Sequence, residues 1–263
     1  EPKPVIDNGQ VKDLQGRTPT SAHKIIEQFM IAANQCQVNF LTKNQVPTIQ
    51  RIVRSPDRWG KIVDIAAEYG FDLPSEPNSK ALSGFLMSRL KKSKDTFEDF
   101  SLMIIKLIGR GEYEMVSPGK YGHGHFGIAV NHYTHSTAPN RRYVDLVIQR
   151  LVKAILAKRP IPYTKRELVE VAAWCSERDT ASKKLERFMR KVAAALLLQN
   201  KVGQVFEGII TGASEKGVFV RILKPPAEGR IMRGERGLDV GDNVMVRLTA
   251  ADPLLGHLDF QRV

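Results

Sequence analysis

The chain has 263 residues, of which 42% are hydrophobic and 26% charged, which excludes a wholly disordered chain and is enough for one or two buried cores. Its formal net charge of +12 indicates an anionic partner. The longest strongly apolar run, Val192–Leu198, is too short to cross a bilayer, and no secretory signal is visible, so we expect no membrane contact. Two cysteines without metal-like spacing, Cys36 and Cys175, predict buried thiols in a reducing compartment, the cytoplasm.

The positive charge is unevenly distributed. Residues 141–201 hold fifteen Lys and Arg against six Asp and Glu, whereas residues 202–263 hold eight of each. Solvated helix faces would explain such a surplus without any ligand. A surface that binds RNA explains it as well, and it also accounts for where the surplus begins.

The first two thirds of the chain are predicted to be mainly helical. Ahead of the first helix, residues 1–18 are polar, with at most one short strand around Val11. Thr20 or Ser21 is a suitable cap for a long run with apolar side chains at helical spacing. One predicted helix begins at Ser21 and another begins at Pro139. The others cover Trp59–Tyr69, with Gly70 as the stop, Asn78–Lys92, Thr96–Ile108, and Lys165–Gln199 as one or two helices.

Strands are predicted between these helices and after them. A loop is assigned to the segment with Arg51, Arg54 and Pro56, and short strands to Glu112–Val116 and Phe126–Asn131. After residue 202 the pattern becomes β-like, with turn residues between short apolar runs. These runs are Val205–Thr211, Gly217–Leu223, Arg230–Met232, Asn243–Leu248 and Leu258–Phe260.

The stretch Tyr121–Leu146 carries the clearest functional signal. It places a polar loop before a helix predicted to open at Pro139, with Arg141 and Arg142 at its mouth. Backbone N–H groups at a helix start attract anions, and guanidinium groups donate bidentate hydrogen bonds to phosphate. The stretch therefore predicts a phosphate-bearing ligand.

Three motifs resemble one known family. They are Tyr133-x-His-x-Thr-x-Pro-x-Arg-Arg-Tyr-x-Asp-Leu146, Gly124–Gly127 and Ile26–Asn34, and they occur in the order found in the ribonuclease II (RNB) family of 3′-to-5′ hydrolytic exoribonucleases. The β-like segment resembles the OB-type barrel called S-one, through its Gly208, Gly217 and Val240-Gly-Asp landmarks. The fold expected from this resemblance is α+β. Residues 1–200 would form the mainly helical C-terminal portion of the RNB catalytic domain, and residues 202–263 a small all-β RNA-binding barrel.

The resemblance implies roles for individual residues. Arg141 matches the arginine that grips the scissile phosphate, and it is the one catalytic residue expected in this chain. The residues expected to bind RNA are Glu27, Thr137, Arg142, Glu177, Tyr143 and His135, with His135 orienting the loop by hydrogen bonding.

Each role has a plainer alternative. Arg141 would otherwise only pair with Asp145 one turn later, at about 0.2–0.5 kcal/mol. We expect Asp145 to steady Arg141 and not to work as an acid or base. Glu27 would otherwise complement a helix dipole, and Glu177 would be a surface charge beside Arg178.

Three positions of the motif depart from the family pattern, namely Ser136, Ala138 and Asn140. Ala138 matters most, because it stands at the expected N-cap before Pro139 and alanine has no capping oxygen. We expect Thr137 or Ser136 to supply the hydroxyl instead.

Metal ligands are not expected in this chain. The histidines at 123, 125, 132 and 135 fit no common zinc spacing. The resemblance implies Mg²⁺ held by aspartates spaced Asp-x-x-x-x-x-Asp-x-Asp-Asp, and this pattern does not occur here. The ligands are therefore expected outside the chain, which by itself should not cleave RNA.

Three functional hypotheses follow. The first is a processive exoribonuclease that hydrolyses single-stranded RNA to 5′-nucleoside monophosphates. Its barrel would hold incoming RNA, with Phe206, Phe219 and Arg221 as candidate contacts, although such apolar positions are more often barrel core. The second is a non-catalytic RNA-binding module or inactive homologue. The third is one piece of a nicked enzyme, completed by a separate N-terminal fragment. A monomer is expected.

Overall fold

The structure, a computed structural model, describes residues 3–16, 20–92, 97–120, 122–214 and 217–263, apart from the side chains at 98, 99 and 102. Two predicted positions lie outside these ranges, namely the helix start at Thr96 and Tyr121, the first residue of the stretch Tyr121–Leu146. The chain divides into two compact units, Thr20–Asp179 and Glu1–Pro19 with Thr180–Val263. Within the described ranges, no helix combines the length and hydropathy needed to cross a membrane.

Six helices and nine strands are described. The helices are α1 (Ser21–Lys43), α2 (Trp59–Glu68), α3 (Ser79–Lys92), α4 (Phe97–Ile108), α5 (Tyr143–Leu156) and α6 (Lys165–Leu198). The strands are β1 (Lys3–Asp7), β2 (Gln10–Gln15), β3 (Thr48–Ile52), β4 (Glu112–Val116), β5 (Val205–Ser214), β6 (Gly217–Ile222), β7 (Ala227–Arg233), β8 (Asn243–Asp252) and β9 (His257–Arg262). The predicted α+β class is confirmed.

The unit Thr20–Asp179 has two apolar cores. One lies under α5, whose buried stripe of Val144, Val147, Ile148 and Leu151 packs with Leu41 of α1 and with Leu168 of α6. The other joins α2, α3 and α4. Its largest members are Trp59, Ile62, Phe85, Phe100 and Ile104.

Strand β3 was predicted to lie partly in a loop, and that prediction is wrong for Arg51. All five residues of β3 are buried, and Arg51 pairs with Tyr113 in the antiparallel ladder to β4. The strand could not be predicted from the sequence because it contains the polar residues Gln50 and Arg51, whereas a strand buried on both faces is normally a continuous apolar run.

The second unit is built around a closed barrel with the strand order β5-β6-β7-β9-β8. A Cβ at Gly229 would lie 2.3 Å from the Leu258 carbonyl oxygen, and one at Gly208 would lie 2.7 Å from a Val220 methyl, so these strands approach too closely for any side chain. The OB-type barrel is confirmed. Phe206 packs against the barrel core, while Phe219 and Arg221 are half-buried.

The first residues form a hairpin instead of a single strand. β1 and β2 pair antiparallel around Asn8 and Gly9, which have φ of 49° and 75°. Asn-Gly is the strongest short hairpin signal in a sequence, because both residues tolerate positive φ. Leu14 of β2 is buried in the barrel unit's core.

Two further details differ from the predictions. Phe126–Ile128 is a 3₁₀ turn followed by Ala129 at φ 56°, so the strand predicted over 126–131 is wrong. Cys175 is buried as predicted, but Cys36 is exposed. α6 is one helix of 34 residues, which is one of the two predicted alternatives. The compact units divide the sequence at residue 180, because the end of α6 packs in the barrel unit's core. The predicted domain boundary near 201 stays a prediction.

Candidate nucleic-acid interface

The loop that carries the arginine motif is fixed along the buried strand β3. The backbone N–H of Arg51 donates to the Tyr133 carbonyl oxygen at 2.7 Å, and the Thr134 hydroxyl donates to the Ile49 carbonyl oxygen at 2.6 Å. Tyr133 and Thr134 are buried. The loop is therefore held by the sheet on one side before it reaches the arginines.

Asn34 of α1 holds the same loop from the other side, and sequence reasoning missed it. Its Oδ1 accepts hydrogen bonds from the Ser136 N–H at 2.9 Å and the Ser136 hydroxyl at 2.8 Å, and its Nδ2 donates to the Tyr133 hydroxyl at 3.0 Å. Asn34 is fully buried, on the face of α1 that also buries Val38 and Leu41. An amide on an otherwise apolar helix face was the available signal.

Helix α5 begins at Tyr143, so the predicted start at Pro139 is wrong. Residues 139–141 instead form a turn in which the Ala138 carbonyl oxygen accepts from the N–H groups of Arg141 and Arg142. The Ala138 N–H donates to Oδ1 of the buried Asp145 at 2.7 Å. The Asp145 carboxylate, in the first turn of α5, thus ties the turn at 138–141 to the helix without capping it.

Neither hydroxyl proposed as a substitute cap has that role. The Ser136 hydroxyl donates to Asn34, and the Thr137 Oγ1 atom is buried without a hydrogen-bond partner in the described part of the chain. The N-cap of α5 is Arg142, and it makes no capping bond with its side chain.

The two arginines have different surroundings. Arg142 donates from Nη2 to Asp145 Oδ1 at 2.8 Å, so Asp145 steadies Arg142 and not Arg141 as predicted. Arg141 is exposed, and no described residue forms a hydrogen bond or ion pair with its side chain. Of the predicted pair, only Arg141 presents an uncommitted guanidinium group to solvent.

A network of side chains lies under the loop. The His135 Nδ1 atom is hydrogen-bonded to the Tyr113 hydroxyl at 2.8 Å, and the Arg51 guanidinium stands 4.7 Å from the Tyr113 ring centroid. Arg51 Nη2 also donates to Asp179 Oδ2 at 3.0 Å. His135 is thus hydrogen-bonded to β4 through a partner that the sequence did not reveal, and its role in RNA binding stays a prediction.

Burial sets the protonation of this network. It lowers the pKa of His135 to about 3 and raises the pKa of Tyr113 to about 12, and the nearby Arg142 and Arg51 lower that of His135 further. Burial, with a smaller contribution from Arg51, also lowers the pKa of His125 to about 4. Both histidines are neutral at pH 7, so the arginines supply the positive charge.

The two predicted glutamates are not brought to this loop. Glu27 lies on the exposed first turns of α1, and the exposed Glu177 pairs with its neighbour Arg178. The carboxylate of this part of α6 that reaches the network is that of Asp179, through Arg51. The sequence feature that could have identified Asp179 is its helical spacing, because it follows the buried Ala172 and Cys175 on the inward face of α6.

Tyr143, the first residue of α5, is 46% exposed and lines a surface groove with residues of α6. Among the remaining histidines, His123 pairs with Glu114 at 2.8 Å on the surface. Within the described ranges, no group of three or more His, Cys, Asp or Glu side chains is placed to hold a metal ion. The donor set for the implied Mg²⁺ is therefore not found among these residues.

Two family descriptions match the sequence. The RNB domain matches residues 1–158, and the RNase II-type exonuclease C-terminal S1 domain matches residues 204–263. The chain belongs to the RNB family. The resemblance inferred from its motifs is confirmed, and the match includes α1, the loop at 133–142 and all of α5.

Individual relatives agree with this membership. The RNB chain is 28% identical over 287 residues to ribonuclease R 1 of Lactococcus lactis, covering 98% of this chain and 34% of that protein. The chain thus spans about a third of that relative's length.

Solved structures share the fold. Mycoplasma genitalium RNase R in complex with ribose-methylated single-stranded RNA superposes with a TM-score of 0.87 at 23% identity, over 100% of this chain and 45% of that one. Yeast Ssd1, described as a pseudonuclease, superposes with a TM-score of 0.61 at 18% identity, over 86% and 29%.

Proposed function

We propose that this chain is the RNA-binding portion of a hydrolytic 3′-to-5′ exoribonuclease that acts on single-stranded RNA. Family membership supports the reaction class. The observation that carries the proposal is the uncommitted guanidinium of Arg141, which is exposed on a loop fixed by buried hydrogen bonds on both sides. A fixed cation of this kind stabilises charge that develops on a phosphate without having to reorganise first.

The neighbouring residues would act by holding Arg141 in place. Asp145 ties the turn to α5, and Arg142 balances the buried charge of Asp145. Asn34 and His135 fix the loop on which the turn stands. In this assignment Arg141 alone contacts the scissile phosphate, and Arg142 is a positioning residue.

The finer features of the reaction are part of the proposal. By its resemblance to the family, the complete enzyme would release 5′-nucleoside monophosphates processively, by in-line attack of water with Mg²⁺. The carboxylates of the described residues do not fit that metal. We place its ligands outside them, and we expect the chain by itself to bind RNA without cutting it. Magnesium-dependent release of nucleotides by the isolated 263-residue chain would contradict this expectation.

The test is Arg141→Ala in the complete enzyme, with Arg159→Ala as the control for an equal loss of charge at another exposed site of the same unit. If Arg141 stabilises the transition state, turnover should fall by orders of magnitude while RNA affinity falls far less. In the isolated chain, the slope of log affinity against log salt should decrease by about 1 in magnitude. Equal losses in turnover and affinity would mean that Arg141 only binds.

A second candidate is a non-catalytic RNA-binding protein, or a chain that needs a separate N-terminal fragment. It is favoured because the described residues contain no cluster of side chains that could hold the metal. Yeast Ssd1, described as a pseudonuclease, also has this fold. A nuclease assay on the natural full-length protein separates the candidates, because only the enzyme would release mononucleotides from a 3′ end. Intact mass of the natural protein would reveal a fragment that travels with the chain.

A further inference from the structure

A groove of about 390 Å³ lies between the start of α5 and the first half of α6, and no role has been assigned to it. The groove is lined by Tyr143, Tyr163, Glu167, Glu170, Val171 and Trp174. Its volume is within the range of about 300–1,000 Å³ found for small-ligand sites. All of these residues belong to the unit Thr20–Asp179.

The groove exposes aromatic rings to solvent. Trp174 is 58% exposed and Tyr143 is 46% exposed, while Tyr163 is half-buried. The other tryptophan, Trp59, is only 4% exposed, in the core of α2 to α4. Exposed aromatic rings are the surfaces on which the bases of single-stranded nucleic acid stack, since every base has a π-face.

Cations lie beside these rings. The Arg178 guanidinium stands 5.6 Å from the Trp174 ring centroid, and Arg150 Nη1 donates to the Tyr163 hydroxyl at 2.8 Å. The two glutamates of the groove are already engaged. Glu167 accepts hydrogen bonds from the Thr164 N–H and hydroxyl, and Glu170 pairs with Arg166 at 2.9 Å. Arg178 itself pairs with Glu177, so the charges at the rings are largely offset. The positive charge that favours a polyanion lies in residues 141–179 as a whole, which hold nine Lys and Arg against five Asp and Glu.

The groove also adjoins the proposed phosphate contact. Tyr143 follows Arg141 by two residues, which span at most about 7 Å of chain. The edge of the groove formed by Tyr143 is therefore within reach of a strand whose phosphate is held by Arg141.

We propose that this groove is a base-binding subsite, in which one base of single-stranded RNA stacks on Trp174 with Tyr143 at its edge and Arg178 near the backbone. The proposal rests on the proposed RNA-binding function. It adds Trp174 as a residue that contacts substrate, and stacking makes the subsite tolerant of base identity.

The chain carries its own probe for this contact. An oligoadenylate is titrated into the 263-residue chain while tryptophan emission is excited at the red edge of the band, where bases absorb little. RNA should quench the emission of the exposed Trp174 and shield it from iodide. In Trp174→Phe, where only the buried Trp59 emits, the signal should not respond to RNA.

Affinity is measured in parallel by the anisotropy of a labelled oligoadenylate. Trp174→Ala should bind about five-fold to a hundred-fold more weakly, whereas Trp174→Phe, which keeps a stacking ring, should lose much less. Leu156→Ala is the matched control, since Leu156 is 69% exposed on α5 and does not line the groove. Circular dichroism and thermal unfolding of each variant confirm that it is folded.

The outcomes separate this inference from the function on which it rests. Tight RNA binding by the wild type, with no quenching and full affinity in Trp174→Ala, would overturn the subsite and leave the proposed function intact. A wild-type chain that binds no RNA would overturn both.

Discussion

Arg141 and Arg142 are neighbours in sequence with opposite roles in the structure. Arg142 is a quarter exposed and is bound to the fully buried carboxylate of Asp145, while Arg141 is exposed and has no described partner. The resemblance to the RNB family marks both residues as RNA contacts. The geometry commits Arg142 to Asp145 and leaves Arg141 exposed, which is why Arg141 is the residue that we propose to contact RNA.

This difference predicts separate effects on stability. Arg142→Ala leaves the Asp145 carboxylate buried without its cation, and should lower the free energy of unfolding by about 3 kcal/mol. Arg141→Ala should change it by no more than about 0.5 kcal/mol, because an exposed side chain without contacts is removed. Urea unfolding of both variants measures the two values, and equal destabilisation would contradict the assignment.

His135 gives a prediction for pH. Its pKa is about 3 in the folded chain against about 6.5 in the unfolded chain, so the unfolded state binds more protons between these values. The stabilisation is complete above pH 6.5 and is lost as pH falls, by at most about 1.4 kcal/mol per pH unit for one histidine. Between pH 6.5 and 5, where carboxylates stay charged, wild type should lose more stability than His135→Gln; parallel urea-unfolding profiles would count against this account.

At the scale of the elements, α1 and the loop at 133–142 are joined through a single amide. Asn34 makes three hydrogen bonds to that loop from a fully buried position, and Gln149 of α5 adds a bond to the Ser136 carbonyl oxygen at 2.8 Å. The first turns of α1, in contrast, are exposed, including Ile25 and Phe29. The position of the loop therefore depends on the second half of α1.

Asn34→Ala tests that dependence. It leaves buried partners at Tyr133 and Ser136 unsatisfied, at about 1–3 kcal/mol each, and should destabilise the chain by several kcal/mol. Asn39→Ala is the matched control, because Asn39 is exposed on the same helix. Chemical denaturation compares the two, and a small effect at position 34 would show that the loop is held by other contacts.

Elements with local signals could be predicted from the sequence. The barrel strands followed from alternating apolar residues between turns, and α2 from its apolar face and the stop at Gly70, where φ is 69°. The start of α5 could not be predicted, since proline usually opens a helix, whereas here the Asp145 side chain builds a separate turn first.

The site was predictable only in part. Arg141 was found because its motif is contiguous in the chain. Asn34 and Asp179 were not found, since their roles depend on partners 102 and 128 residues away. Such pairings leave no local pattern beyond a polar residue on an inward helix face.

For the whole molecule, the main consequence concerns where the chain can be divided. α6 contributes to both compact units, and its last turns pack in the barrel unit's core together with the hairpin residue Leu14. The barrel unit therefore begins at residue 180 and includes the N-terminal hairpin.

A fragment ending at residue 201 should consequently behave poorly. It would expose Leu14, Ala195 and Leu198, which are buried against barrel side chains in the intact chain. We expect dye binding and self-association for residues 1–201, and a monomer for residues 20–179, whose two cores are complete. Well-behaved monomers from both fragments, by light scattering and dye fluorescence, would contradict this division.

The Thr137 hydroxyl has a consequence for how such a chain can change over generations. Its oxygen is buried without a partner in the described part of the chain, four residues before Arg141, and Arg142 Nε and Asp145 Oδ2 are likewise buried without partners there. Unsatisfied polar atoms of this kind lower stability, so valine at position 137 would make the fold more robust. Keeping the hydroxyl therefore costs the chain stability, and a change to valine would exchange a polar atom four residues before Arg141 for a more stable fold.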